Sequence, residues 1–285
     1  MKSSDYDTFG EAYAEHSAIS PFNALYDRPA ILGLAGEVAG LRVLDIGCAT
    51  GLLSRQLAER GADVLGLDAS EVMIREAERR HGQYARFRQA DLAEPLHFIP
   101  DASIDLVTAS LVLHYLRDWG PTLQELHRVL VPGGAFVLSV HHSDDSAWFA
   151  DRDYFATEVI TETWPIGDHP TEVRVYRRPL SATFSALRQG GFRVDELAEP
   201  MPVPEASESH ARGVPDPHHP AALPVLPGRR RVAGISPRAR YALDLLTPAY
   251  AMGTSVVSRG LVSQTAENWW RNRGRNRRRL LSDQA

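Results

Sequence analysis

The run "RVLDIGCATGLLSRQLAERGADVLGLDAS", from Arg42 to Ser70, constrains this chain more than any other stretch. It reads as an apolar strand, a turn of small residues, an amphipathic helix, a second apolar strand and an acid. That order is a parallel β-α-β unit, whose small-residue turn lets backbone lie against a ligand while the terminal acid meets it. The pattern then continues. Strands are expected at 41–46, 62–67, 84–89, 104–109, 135–141 and 192–198, each a short run carrying Val, Leu, Ile or Phe. Helical patterns at 51–60, 70–80 and 121–130 separate the first five, with Ser70 and Pro121 as good first-turn residues. "VPGG" at 131–134 reads as a stop between the last of these helices and the fifth strand. The fold class expected is α/β: a doubly wound, mostly parallel sheet covered by helices on both faces. Its ligand would sit at the carboxyl ends of the strands.

Three kinds of ligand loop share this outline, and the residues separate them. A phosphate-gripping loop needs Lys followed by Ser or Thr after its glycines. Here Gly51 is followed by Leu52, Leu53 and Ser54, and the only lysine in the chain is Lys2. A dinucleotide fold needs G-x-G-x-x-G so that backbone can approach a pyrophosphate. This chain offers Gly47-Cys48-Ala49-Thr50-Gly51, preceded by Asp45. A carboxylate at that mouth repels a diphosphate but suits a ligand carrying an ammonium and a sulfonium. Asp68, ending the second strand, suits a ribose diol under either reading.

Charge narrows the partners. Residues 1–200 carry 18 Lys and Arg against 30 Asp and Glu, a net of −12, whereas 201–285 carry 13 against 6, a net of +7. A body so acidic is a poor match for a phosphate backbone, which speaks against nucleic acid as a partner. One cysteine excludes an intramolecular disulfide and fits a reducing cytoplasm. No apolar run approaches the roughly 20 residues that span a bilayer, and the polar start lacks a signal-peptide pattern. A soluble cytoplasmic protein with no membrane association is expected, of undetermined oligomeric state.

"LDIGCATG", "GLDAS", "QADLAEPL", "IDLVTASLVLHYL" and "LHRVLVPGGAFVLSV" follow one another at suitable intervals. Together they resemble the class I S-adenosyl-L-methionine (SAM)-dependent methyltransferases, specifically the small-molecule branch that includes the ubiquinone and menaquinone C-methyltransferases. The resemblance covers about residues 5–200. It implies SAM as cofactor, a small-molecule methyl acceptor and a cofactor site built residue by residue. Asp45 would hold the methionine ammonium, and Gly47, Ala49 and Gly51 would lie against the ligand. Asp68 would take both ribose hydroxyls, and Asp91 the adenine amino group. Leu92, Ala69 and Met73 would form the slot around the ring, and Ser110 would line the path to the methyl group. One departure is Ala49, where the family usually has glycine. Blander roles compete at three positions: Met73 as core, Asp91 as a turn cap, and Cys48 as a small buried hydrophobe.

Methyl transfer needs alignment, exclusion of water and, for a protonated acceptor, a base. Three histidines fall at the carboxyl edge: His114 after the fourth strand, and His141 and His142 after the fifth. Neighbours on a strand face opposite ways, so only one of His141 and His142 can face the acceptor. The same geometry speaks against "HHSDD" as a metal site, and no metal is expected. Residues 1–40 would form a helical lid, with Tyr13 and Tyr26 as candidate contacts. Residues 41–200 would form the methyltransferase domain. Within it, 145–178 would roof the acceptor with Trp148, Phe149, Tyr154, Phe155, Trp164 and Tyr176. Two other functions stand beside methylation of a small molecule. One is a catalytically inactive SAM-binding scaffold; the other is a nucleic-acid methyltransferase anchored by the basic tail.

The tail breaks the pattern. The resembling fold places a final antiparallel strand beside the fifth, soon after Pro200. The chain gives instead "ARGVPDPHHPAALPVLPGRRR", in which proline cannot donate to a ladder. Read one nucleotide later, codons for "HARGVPDPHHPAALPVLPGR" can spell "TPEEYRTLTTRPHFLFFRA", which contains an apolar strand. The expectation is a frameshift near Glu205–His210, residues 201–285 as a basic, Pro- and Arg-rich tail that is disordered or out of frame, and a final strand missing or degraded.

Overall fold

The computed structural model describes residues 13–14, 16–20, 22–141, 153–166, 169–200, 203 and 255–262. The expected alternation builds the sheet. Helices α2 (Leu52–Glu59), α3 (Glu71–His81) and α4 (Gly120–Val129) follow strands β1 (Arg42–Ile46), β2 (Asp63–Asp68) and β4 (Ile104–Ala109) and lead into β2, β3 (Arg86–Gln89) and β5 (Leu130–His141), while β3 and β4 are joined without a helix. Ahead of β1, a π-helical turn (Phe22–Asp27) runs into α1 (Arg28–Ala35). After β5 come a hairpin, β6 (Glu158–Ile166) and β7 (His169–Arg177), then α5 (Leu180–Gln189), β8 (Phe192–Ala198) and β9 (Ser255–Val262). Seven strands make one sheet in the order β3-β2-β1-β4-β5-β9-β8, and the hairpin stands apart as a second. The pairings from β3 through to β5 are parallel.

Why the sheet is covered on both faces follows from strand alternation. Leu44 and Ile46 join the cluster that takes in Leu123, Leu126 and Val129 of α4. Val43, just before them, joins Ile31 and Leu32 of α1 and Leu53 and Leu57 of α2 on the other face. α3 starts where its cap requires: the Ser70 hydroxyl accepts from the Met73 N–H at 3.2 Å. Arg79, Arg80 and His81 close it, placing basic side chains at the negative end of the helix dipole. No helix among the described residues is long and apolar enough to cross a membrane.

Two expectations need correction. "VPGG" does not separate helix from strand: α4 ends at Val129 and β5 begins at Leu130, running through Pro132, Gly133 and Gly134. Gly133 takes a positive φ of 80°, and the β4–β5 register shifts between Ile104 and Leu106. The glycines therefore act as an irregularity inside a strand. The final strand is also present. β9 runs antiparallel between β5 and β8, with Val137 opposite Arg259 and Ala198 opposite Val257. Without it, β5 and β8 would face each other with unpaired N–H and C=O groups, a strong demand for any extended segment. The expected frameshift point, 205–210, lies outside the described residues.

Candidate active site

A cavity of about 960 Å³ opens at the carboxyl ends of β1, β2 and β4. Its floor is the turn after β1. Gly47 and Gly51 hold positive φ values of 66° and 79°. A Cβ on Gly47 would come within 2.3 Å of Val112 Cγ2, so the turn both bends and packs as only glycine allows. Ala49, between them, also sits in the left-handed region at φ 46°. Its N–H donates to Asp68 Oδ2 at 2.9 Å, while the Ser70 N–H donates to Oδ1 at 2.9 Å. Asp68 thus ties the turn to the start of α3.

Asp45 also lines the cavity but is 1% exposed. The Ser54 hydroxyl donates to its Oδ2 at 2.6 Å and the Thr108 hydroxyl to Oδ1 at 2.8 Å. Burial pushes the carboxyl up to about 6 against the pull of those two donors; Asp68 and Asp27 add to the rise. Asp91 is exposed and accepts the Ala93 N–H at 2.9 Å, so it does cap the following turn. Ala69, Met73, Leu92 and Ser110 all line the cavity, Met73 and Leu92 from nearly buried positions. Cys48 is buried, and its thiol is pushed well above its ordinary value by burial and by Asp68 and Asp45.

The lid and base candidates divide. Tyr13 lines the cavity and stacks on Trp164 of β6 at 6.5 Å. Tyr26 does not line it; it is buried near Phe22, with ring centroids 6.4 Å apart. His114 is buried between His141 and Tyr115, with ring centroids at 4.3 and 4.5 Å. Neither ring nitrogen of His114 has a hydrogen-bond partner among the described residues. Burial, then His141, then Arg178 hold its pKa well below the ordinary value. Burial also lowers His141, opposed by Glu162. Neither histidine lines the cavity, although Tyr115 does. His142, Trp148 and Phe149 lie outside the described residues; Phe155 is 76% exposed, and Tyr176 lines the cavity. No cluster of three or more His, Cys, Asp or Glu able to hold a metal occurs among the described residues.

Several wall residues carry no motif. Asn23, Arg28, Leu111, Arg117 and Asp118 line the cavity. Arg28 had one sequence signal: it is the only Lys or Arg between Lys2 and Arg42. Its guanidinium donates to the carbonyls of Ser17 and Ala18, each at 3.1 Å, which ties that segment to the start of α1.

Similarity to known proteins identifies the family. Residues 44–138 match the family described as "Methyltransferase domain". The chain is 32% identical over 187 residues to the ubiquinone biosynthesis O-methyltransferase of Pseudomonas aeruginosa, covering 62% of this chain and 77% of that protein. It is 34% identical over 217 residues to an uncharacterized protein of Haemophilus influenzae, covering 69% and 85%. The fold matches a crystal structure of an S-adenosylmethionine-dependent methyltransferase from Mesorhizobium loti with a TM-score of 0.55 and 24% identity, covering 86% and 99%. The chain belongs to the class I SAM-dependent methyltransferases, in the branch acting on small molecules. SAM is its cofactor, and the site fits it: a backbone turn without bulk, an acid ending β2, and the buried carboxyl of Asp45 on the cavity wall.

Proposed function

We propose that this enzyme methylates a hydroxyl group on a small planar acceptor, held beside SAM in one continuous cavity. The observation that carries the reading is the cavity's reach. It runs from Asp45, Asp68 and Asp91, past Ser110, to a second wall of Tyr13, Tyr115, Arg117 and Tyr176. A volume of about 960 Å³ lies at the upper end of the range for a single-ligand pocket, leaving room for two ligands. The O-methyltransferase activity named for the Pseudomonas aeruginosa relative supports oxygen as the receiving atom.

In this reading Asp68 takes the ribose diol and Asp91 the adenine amino group, with Ala69, Met73 and Leu92 around the ring. Gly47, Ala49 and Gly51 present backbone, Asp45 meets the ammonium, and Arg28 meets the methionine carboxylate. SAM, when bound, supplies an activated methyl group. The chain supplies alignment, and Tyr13 with the β6–β7 hairpin excludes water. Of the histidine candidates for accepting the acceptor's proton, His114 and His141 do not line the cavity, and His142 stands as the remaining one from the sequence. The single cysteine fits work in the cytoplasm.

Transfer of labelled methyl from SAM to a panel of phenols and catechols tests the reading. Methylated oxygen in the products is expected. Tight SAM binding with label appearing only on nitrogen or carbon acceptors would refute it.

A further inference from the structure

The segment after β4 forms much of the acceptor end of the cavity, where Tyr115, Leu116, Arg117 and Asp118 line it together with Tyr176 of β7. Its backbone is held from two sides. The Trp119 Nε1–H donates to the Leu113 carbonyl at 2.7 Å. Arg178, just after β7, donates to the carbonyls of Leu116 and Arg117 and lies 4.9 Å over the Trp119 ring. That fixed backbone carries the Arg117 side chain, which is exposed and makes no ion pair or hydrogen bond among the described residues. Asp118 is engaged elsewhere: its Oδ1 accepts the Gly120 N–H at 2.8 Å, and its charge acts on Arg178. Burial lowers Arg178 to about 10, which leaves it protonated at neutral pH. Arg117 and Arg178 against Asp118 leave this segment net positive. The cofactor end carries Asp45, Asp68 and Asp91 instead. The cavity is therefore charged unequally along its length.

We propose that the acceptor is a hydroxylated aromatic carboxylate, whose carboxylate Arg117 receives while its hydroxyl faces SAM. This rests on the reading that the cavity methylates a planar hydroxyl compound, and narrows it. A guanidinium fork matches a carboxylate with two parallel, charge-assisted hydrogen bonds, an arrangement that a neutral amide cannot reproduce. Asp68 and Asp91 repel the same carboxylate from the cofactor end, so charge sets the orientation as well as the affinity. The hydroxyl, and not the carboxylate, then meets the methyl group. Because Arg117 is exposed, water weakens the pair, and a preference of about five- to tenfold is expected instead of the larger effect of a buried contact.

The test is initial-rate methylation, at saturating SAM, of protocatechuate and of its primary amide by the full chain and by Arg117→Gln. The two compounds share ring and hydroxyls and differ in charge. The parent should show kcat/KM about five- to tenfold higher for the acid, mostly through KM, with the methyl on a ring oxygen. Arg117→Gln should bring the two compounds within about twofold of each other, while a calorimetric SAM affinity within about threefold of the parent shows that the variant is folded. A parent that treats acid and amide alike within about twofold would overturn the inference and leave O-methylation standing, an outcome that needs no variant to fold. So would an Arg117→Gln variant that keeps the parent's preference. Methyl ester as the product from protocatechuate would overturn it too, since the carboxylate would then lie at the sulfur. Label on neither compound, and only on nitrogen or carbon acceptors, would refute the O-methylation reading itself, and this inference with it.

Discussion

Asp45 should make the protein less stable as pH rises, and Asp45→Asn should abolish that dependence. The folded carboxyl titrates at about 6 instead of its ordinary 3.8, chiefly because it is buried. A raised folded value means that the native state binds the proton more tightly than the unfolded chain. Below pH 3.8 both states are protonated and the group costs nothing. As pH climbs through 6 the native state must ionise a buried acid, and the cost levels off at about 3 kcal/mol. Asn has nearly the same shape and stays neutral. Its amide can still accept from one of Ser54 and Thr108 and donate to the other, so little hydrogen bonding is lost. Urea unfolding of parent and variant, measured every half unit from pH 4 to 7.5, gives the difference in stability, from which other titrating groups cancel. The variant should match the parent near pH 4 and exceed it by about 2–3 kcal/mol at pH 7. A difference that stays flat with pH, or a variant less stable at pH 7, would refute the reasoning. SAM should narrow the gap at pH 7, because its positive charge favours the ionised carboxylate only in the parent.

Two further outcomes follow from the same turn. Asp68→Ala removes the acceptor proposed for the ribose diol together with the bonds from the Ala49 and Ser70 N–H groups. SAM should bind well over tenfold more weakly by calorimetry, since charge-assisted bonds are worth about 1.5–3 kcal/mol each; affinity within threefold of the parent would remove Asp68 from the ribose role. Ala49→Gly relieves a left-handed alanine worth about 1–2 kcal/mol, against an entropic penalty of about 0.5–1 kcal/mol in the unfolded chain. It should therefore raise the unfolding midpoint slightly without weakening SAM, and a clear drop in midpoint would show that the Ala49 methyl packs usefully.

The parts of this fold that were legible in the sequence are those set by local chemistry. β4 falls at 104–109 as expected because its apolar run is bounded on both sides. α3 begins just after Ser70 because a hydroxyl there answers an orphan amide. What escaped is what tertiary contact decides. Gly133 and Gly134 read as a stop, yet they lie inside β5, in an irregular stretch between Leu130, paired with Ile104, and Ala135, paired with Leu106. Asp27 lies in a segment without periodicity, and its hydrogen bond from Ser110, 83 residues away in sequence, exists only in the tertiary fold. His114 illustrates the limit in the other direction. Its position after β4 was readable, but the sequence could not say that its ring packs against His141 rather than lining the cavity.

The last prediction concerns the slot between β5 and β8. β9 satisfies the backbone groups there, but its sequence is unusual for a strand in mid-sheet. Arg259 is the register partner of Val137, and Gly260 that of Phe136; both partners are 0% exposed. Strands at such positions favour β-branched and aromatic residues, and an interior glycine alone costs about 0.5–1 kcal/mol. The run "HFLFF", spelled one nucleotide out of frame from His210 onward, offers apolar residues at every position after its first. Filling the slot with it would bury Leu and Phe side chains worth about 1.5–3 kcal/mol each. The gene sequence should therefore show codons for 210–229 that read "TPEEYRTLTTRPHFLFFRA" in the next frame. A chain carrying that replacement from residue 210 should unfold at higher urea than the chain as given, by several kcal/mol in all, because two or more such side chains enter the sheet. Both results are needed. Codons unable to spell the shifted strand would refute the frameshift outright. A replaced chain no more stable than the original would show that Ser255–Val262 already fills the slot as well as an apolar strand can.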